Sequence, residues 1–224
     1  MSVFDIIGPI MIGPSSSHTA GAARIGKIAR DFLGAEPVSA DIGFCGSFAK
    51  TYRGHGTDKA VVGGIMGMMP NDDRIRNSIE LAKAQGIEIN IKELEMDNVH
   101  PNTAIVTLTD KHGKSATIEG ASVGGGNILI KRLNNTKVSL NGEYTVIVIE
   151  HKDKPGTIAA VTSLLAPIGI NICNFNLSRE QKGGSAVMTI EIDGKVDKEI
   201  TEKLKALPNV TDCTIIQQEI QETV

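Results

Sequence analysis

Aromatic side chains are nearly missing from this chain of 224 residues, which holds no Trp, two Tyr and five Phe. That scarcity argues against base-stacking platforms and against the flat faces that grip sugars. Cysteine is scarce as well. Cys45, Cys173 and Cys213 are odd in number, far apart and without a C-x-x-C pair, so the sequence encodes neither a disulfide framework nor a self-contained zinc or iron–sulfur site. Charge of one sign is lacking: 23 Lys and Arg face 26 Asp and Glu, a net charge of -3. Without a basic surplus, neither nucleic acid nor an anionic membrane surface is an expected partner. No run approaches the roughly 18 apolar residues of a membrane helix, and no basic stretch leads an apolar core and a cleavage site at the N-terminus. The expectation is a cytoplasmic protein acting on a small polar ligand.

At 41% hydrophobic and 22% charged, the composition is globular and the length suits one or two domains. The texture changes near residue 140: up to about Ile130 the chain is glycine-rich and broken by short polar motifs, whereas from Tyr144 it alternates regularly. The polar stretch Lys131 to Gly142, ending in Asn-Gly, reads as a boundary, which predicts domains at 1–140 and 141–224. The fold class expected is α+β.

In the first domain, Ile25, Ile28, Ala29 and Phe32 at spacings of three and four, with Gly34 behind them, predict an amphipathic helix that starts at the Ser15–Thr19 hydroxyls. A second helix is predicted from Asp73 to Gln85, capped at Asn71 or Asp72. Strands are expected over Ile87 to Leu94, Thr103 to Thr109 and Ser115 to Ile118. The second domain reads as strand Tyr144 to Glu150, helix Gly156 to Ala166, strands Ile170 to Ser178 and Ser185 to Ile192, helix Lys198 to Leu207 and strand Val210 to Gln217. This βαββαβ order is ferredoxin-like.

Five motifs can carry chemistry. In Gly13-Pro14-Ser15-Ser16-Ser17-His18-Thr19, consecutive hydroxyls at a helix N-terminus can hold a carboxylate or phosphate, and His18 can titrate near neutrality. A plain N-cap needs one hydroxyl, not four and an imidazole. Gly54-His55-Gly56-Thr57-Asp58-Lys59 lets backbone approach a ligand but lacks the third glycine of a dinucleotide fingerprint; read alone, it is equally a surface turn before the apolar segment Ala60 to Met69. His100-Pro101-Asn102 is a rigid turn before a strand, and Ser122-Val123-Gly124-Gly125-Gly126 can wrap amides around an anion, although either also serves as a structural turn. His151 to Gly156 forms a tight strand-to-helix entry in which Asp153 can cap the helix, with Asn171 expected to begin the next strand beside it.

Taken in order, the first four motifs resemble the pattern of the beta chain of iron–sulfur-dependent L-serine dehydratases. The first half is similar to the domain related to the allosteric substrate-binding domain of some phosphoglycerate dehydrogenases. The tail, with Asp153, Pro155, Gly156 and Asn171, looks like an ACT domain.

The resemblance implies an enzyme of two chains that converts L-serine to pyruvate and ammonia. In it a 4Fe-4S cluster bound by cysteines of an alpha chain acts as the Lewis acid, and this chain alone is inactive. It implies Ser15, Ser16, Ser17 and Thr19 as carboxylate anchors, with Asn102, Gly124 and Gly125 as further substrate-binding candidates in that site or another. His18 would donate to the substrate or relay a proton, with His55 and Asp58 as further catalytic candidates near the subunit interface. For the ACT domain it implies self-association and a regulatory ligand, an amino acid or a monovalent cation, at Asp153, Gly156 and Asn171. The competing reading is a non-catalytic amino-acid-sensing regulatory protein, against which the crowded Ser-His motif argues. A pyridoxal-phosphate dehydratase would need a larger fold.

Overall fold

The computed structural model describes residues 10–179, 181–197 and 199–217. Its internal packing separates two units, Met1–Asn135 with Ser139–Asn141, and Thr136–Val138 with Gly142–Val224. In the first, a turn of π-helix over Ser17–Gly21 runs into α1 (Ala22–Leu33). Then come β1 (Pro37–Cys45), α2 (Gly46–His55), α3 (Thr57–Ile65), a 3-10 turn over Asp73–Asn77 and α4 (Ser78–Ala84). Strands β2 (Glu88–Leu94), β3 (Thr103–Asp110), β4 (Ser115–Gly124), β5 (Asn127–Leu133) and β6 (Thr136–Leu140) complete a six-stranded sheet in the order β2-β1-β3-β4-β5-β6. β1 and β2 are parallel, which requires a long crossover, and α2, α3 and α4 supply it. The β1/β3, β3/β4 and β4/β5 pairs are antiparallel.

Glycines let α1 and α3 meet backbone to backbone. A Cβ on Gly26 would stand 2.1 Å from the Val61 carbonyl oxygen, and one on Gly64 1.9 Å from that of Ala23. With its neighbours this close, α3 is enclosed: Ala60, Val61, Val62 and Ile65 are fully buried. The apolar segment behind Gly54 to Lys59 is therefore a core helix rather than a stretch following a surface turn. Gly56, at φ +70, is the left-handed corner joining α2 to α3.

Several expectations need correction. The helix at the Ser15–Thr19 hydroxyls is preceded by the wider π turn, and no side-chain cap forms at Ser16. The single helix expected from Asp73 is split, because Asn77 leaves helical geometry at φ -122 and the buried Ser78 hydroxyl donates to the Lys59 carbonyl at 2.6 Å. Asp72 does cap its start, accepting the Arg74 amide at 2.9 Å. The polar stretch Lys131 to Gly142, within which the two units divide, also contains the end of β5 and all of β6, joined through Asn134 at φ 49.

The second unit follows the expected βαββαβ order: β7 (Thr145–Lys152), α5 (Thr157–Leu165), β8 (Ile172–Arg179), β9 (Ser185–Ile192), α6 (Glu199–Lys205) and β10 (Val210–Ile216). Lys198, the expected start of the second helix, lies outside the described residues. The sheet order is β10-β7-β9-β8, with antiparallel neighbours throughout. Ile147, Ile149, Val161, Leu165, Met188, Ile190 and Leu204 form its core. The fold class is α+β, with a ferredoxin-like C-terminal unit.

Candidate functional site

The π turn closes with the Gly21 amide donating to the Ser16 carbonyl at 2.9 Å, while the Thr19 amide donates to Ser15 at 2.8 Å. Such wide turns are local departures from the α-helix that recur at functional sites. Inside this one, His18 is buried at 9% exposure. Its Nδ1 lies 3.2 Å from Ser15 Oγ and its Nε2 3.1 Å from Thr51 Oγ1. Phe48 stands edge-on to the ring at 5.1 Å between centroids, and His55 at 4.7 Å. Burial, and then the neighbouring His55, push the His18 imidazole below its ordinary titration range.

The elements packed around the π turn are α1, α2, α3, β4 and β5, and they bring the scattered motifs together. From α2 come Thr51 and His55, four residues apart and so on one face; His55 is exposed. Asp58 is half-buried at the start of α3, accepts the Lys59 amide at 2.8 Å, and is pushed up in pKa by burial. Ser122 on β4 is fully buried, and a Cβ on Gly21 would stand 2.1 Å from its Oγ. The Asn102 carbonyl accepts the Ser122 amide at 3.0 Å and the Asn102 amide donates to His100 Nδ1 at 3.1 Å. The Pro101 carbonyl accepts the Phe48 amide at 3.2 Å, tying His-Pro-Asn to α2 as well. Gly124, Gly125 and Gly126 sit at φ +107, +61 and +84, a run that only glycine adopts easily. The buried Arg24 of α1 donates to the Gly126 carbonyl at 3.0 Å.

The hydroxyls divide into two groups. Ser15, Ser16 and Ser17 are half-buried, and those of Ser16 and Ser17 have no hydrogen-bond partner among the described residues. Thr19, expected beside them as an anchor, is 2% exposed with Oγ1 turned inward, where a Cβ on Gly13 would stand 2.1 Å away. Thr19, Thr57, Thr103 and Ser122 all have buried, unpartnered hydroxyl oxygens among the described residues. Buried polar groups are ordinarily satisfied, so four orphans in one unit are unusual. The sequence reading missed Thr51 and Arg24. Ser47, Thr51 and His55 recur every four residues, a signal visible only once α2 is known to be a helix.

In the second unit, Asp153 does not cap α5. Its carboxylate accepts the Gly183 amide at 3.0 Å and Arg179 at 2.8 Å, which hold it below the usual carboxylate range, while Gly156 at φ +87 precedes α5 with no side-chain cap. Nor does Asn171 stand beside it. β8 runs parallel to β7 because both oppose β9, so Asn171, which donates to Asp193 at 2.6 Å, lies at the far end of the sheet. At eight residues per strand the separation is about 25 Å.

Among the described residues no three His, Cys, Asp or Glu side chains converge to hold a metal. No described helix is long and apolar enough to cross a membrane.

A mixed α/β unit with a Ser-His site, followed by a ferredoxin-like unit, defines a class that comparison makes specific. Residues 2–86 match the family model described as serine dehydratase beta chain, and residues 145–209 match the ACT domain. The chain is 47% identical over 215 residues to the probable L-serine dehydratase, beta chain, of Bacillus subtilis, covering 96% of this chain and 97% of that one. To the L-serine dehydratase, beta chain, of Peptoniphilus asaccharolyticus it is 39% identical, with 92% and 91% covered. It is also 31% identical over 133 residues to a D-3-phosphoglycerate dehydrogenase of Methanocaldococcus jannaschii, 59% of this chain and 25% of that one. The chain belongs to the L-serine dehydratase beta-chain family and carries a C-terminal ACT domain.

Proposed function

We propose that this chain is the beta subunit of a lyase that converts L-serine to pyruvate and ammonia together with an alpha chain carrying a 4Fe-4S cluster. The observation that carries the reading is His18, buried with Ser15 on one ring nitrogen, Thr51 on the other and His55 across its face. The cysteines here do not fit the cluster: Cys45 and Cys213 are buried in different units and Cys173 is exposed. The cluster therefore belongs to the alpha chain.

Ser16 and Ser17 offer hydroxyl donors to the substrate carboxylate, at the N-terminal end of a helical segment, where the helix dipole favours an anion. His18, held neutral by burial, is suited to accept or pass a proton rather than to act as a standing cation. His55, exposed against the His18 ring, and Asp58, half-buried at the start of α3, are further proton-handling candidates. Asn102, Gly124 and Gly125 shape the wall through backbone, and Thr19 supports from inside.

The ACT unit pairs with a second copy and senses an amino acid or a monovalent cation near Gly156. Because the Asp153 carboxylate is already held by Arg179 and Gly183, a ligand there would be met by backbone or by a second chain. The test is anaerobic co-purification with the alpha chain and a pyruvate assay on L-serine, beside this chain alone. Pyruvate from the complex alone is the expected result. A stable chain that binds L-serine yet yields no pyruvate with any cluster-bearing alpha chain would establish the amino-acid sensor instead.

A further inference from the structure

We infer that Thr51 is a positioning residue whose hydroxyl fixes His18 as the tautomer protonated on Nε2, leaving Nδ1 as the acceptor for the Ser15 hydroxyl. The inference deepens the lyase reading and rests on it for its catalytic meaning, whereas the tautomer itself is tested without any turnover.

A threonine hydroxyl has one proton. Thr51 directs it to the Ser47 carbonyl one turn earlier in α2, at 2.7 Å, the back-bond typical of a helical threonine. What Thr51 Oγ1 presents to His18 Nε2, 3.1 Å away, is then a lone pair, so Nε2 must carry the hydrogen. A neutral imidazole holds one hydrogen, and the lowered titration of His18 keeps it neutral. Nδ1 is therefore bare and, at 3.2 Å, accepts from Ser15 Oγ. The arrangement closes because Ser15 Oγ also faces the His18 amide at 3.4 Å, where it is the acceptor. The opposite tautomer would set two lone pairs against each other at Nε2 unless Thr51 gave up its shorter bond.

This polarity sorts the three serines. Ser15 has its proton committed to His18 Nδ1 and one lone pair to the His18 amide, which leaves it a single lone pair to offer, whereas Ser16 and Ser17 keep their protons to donate. Ser15 is thus coupled to the base, and the carboxylate falls to its two neighbours.

The test labels the histidine ring nitrogens with 15N in the full chain and records their shifts at pH 8, with His18 identified by its loss in H18Q. The wild-type ring should show a protonated Nε2 and a bare Nδ1. T51V and T51A should move the Nδ1 signal toward the protonated range, and T51S should leave it in place. In the complex with the alpha chain, T51V should lower kcat about tenfold with KM within about twofold, and T51S should recover it. A wild-type His18 protonated on Nδ1, or ring shifts unchanged in both T51V and T51A, would overturn the inference. Shifts that follow the expectation in a complex that makes no pyruvate would uphold the tautomer assignment and refute the lyase reading.

Discussion

Ser122 presses its side chain against the bare Cα of Gly21, so that a Cβ there would stand 2.1 Å from Oγ and 2.7 Å from the serine Cβ. This contact joins the triple-glycine end of β4 to the π turn that holds His18. Gly21→Ala should force one of them to move, destabilising the chain by about 1–3 kcal/mol and lowering turnover of the complex. Urea unfolding measures the first effect. The double variant G21A/S122G should recover most of it; a G21A chain as stable as wild type would mean that the two segments are not locked.

The α1–α3 crossing is less forgiving, because the atoms in the way are backbone. Gly26→Ala or Gly64→Ala should cost about 3 kcal/mol or more. Gly54→Ala, where an added Cβ meets nothing within 4 Å, should be neutral or stabilising by about 0.5–1 kcal/mol. Chemical denaturation of the three variants side by side separates close packing from a general intolerance of glycine replacement.

His18→Ala should lower turnover of the reconstituted complex by about 100-fold or more while the chain stays folded. A pyruvate assay paired with a circular dichroism melt checks both halves. Wild-type turnover in a folded variant would remove His18 from the chemistry.

Acid should act through the same residue. The folded pKa of His18 lies below its ordinary value of 6.5, from burial first and His55 second. The unfolded chain then binds the extra proton as pH falls through 6.5, so this residue lowers stability from there down to its folded pKa and is without effect above. Stability curves of wild type and H18Q should run parallel above pH 7 and change their separation below it, wild type losing stability as pH falls through 6.5. His55→Gln, by removing the repulsion, should bring the folded pKa of His18 closer to 6.5 and so make the fall smaller, with its onset unmoved.

Asp153 works in the opposite sense. Its folded pKa is depressed by the Gly183 amide and Arg179, so its contribution is present above the ordinary carboxylate pKa of 3.8 and is lost as pH falls through the folded value. Asp153→Asn should flatten the acid limb of unfolding. If the ACT unit senses a ligand, L-serine or potassium should raise the melting temperature of the purified chain, since a ligand of the folded form must stabilise it. No shift with either would end the sensing role.

What the sequence determined by itself is what depends on near neighbours. The amphipathic run closed by Gly34, a cap at Asn71 or Asp72 and the strand Ser185–Ile192 were legible, because period, cap and turn are properties of adjacent residues. The whole βαββαβ order followed for the same reason, as did the crowded Ser-His motif. β1 was not legible: as an inner strand between β2 and β3 it is buried on both faces toward its end and shows no alternation. α2 and α3 hid behind Gly54 and Gly56, which read together as a turn, although Gly54 lies within α2 and only Gly56 is the left-handed corner. The strand directions that part Asn171 from Asp153, and the meeting of His18 with Thr51 across 33 positions, were decided by tertiary structure alone. A hydrogen bond between distant segments exists only after the sheet and helices have fixed both ends, and no local pattern of residues carries that distance.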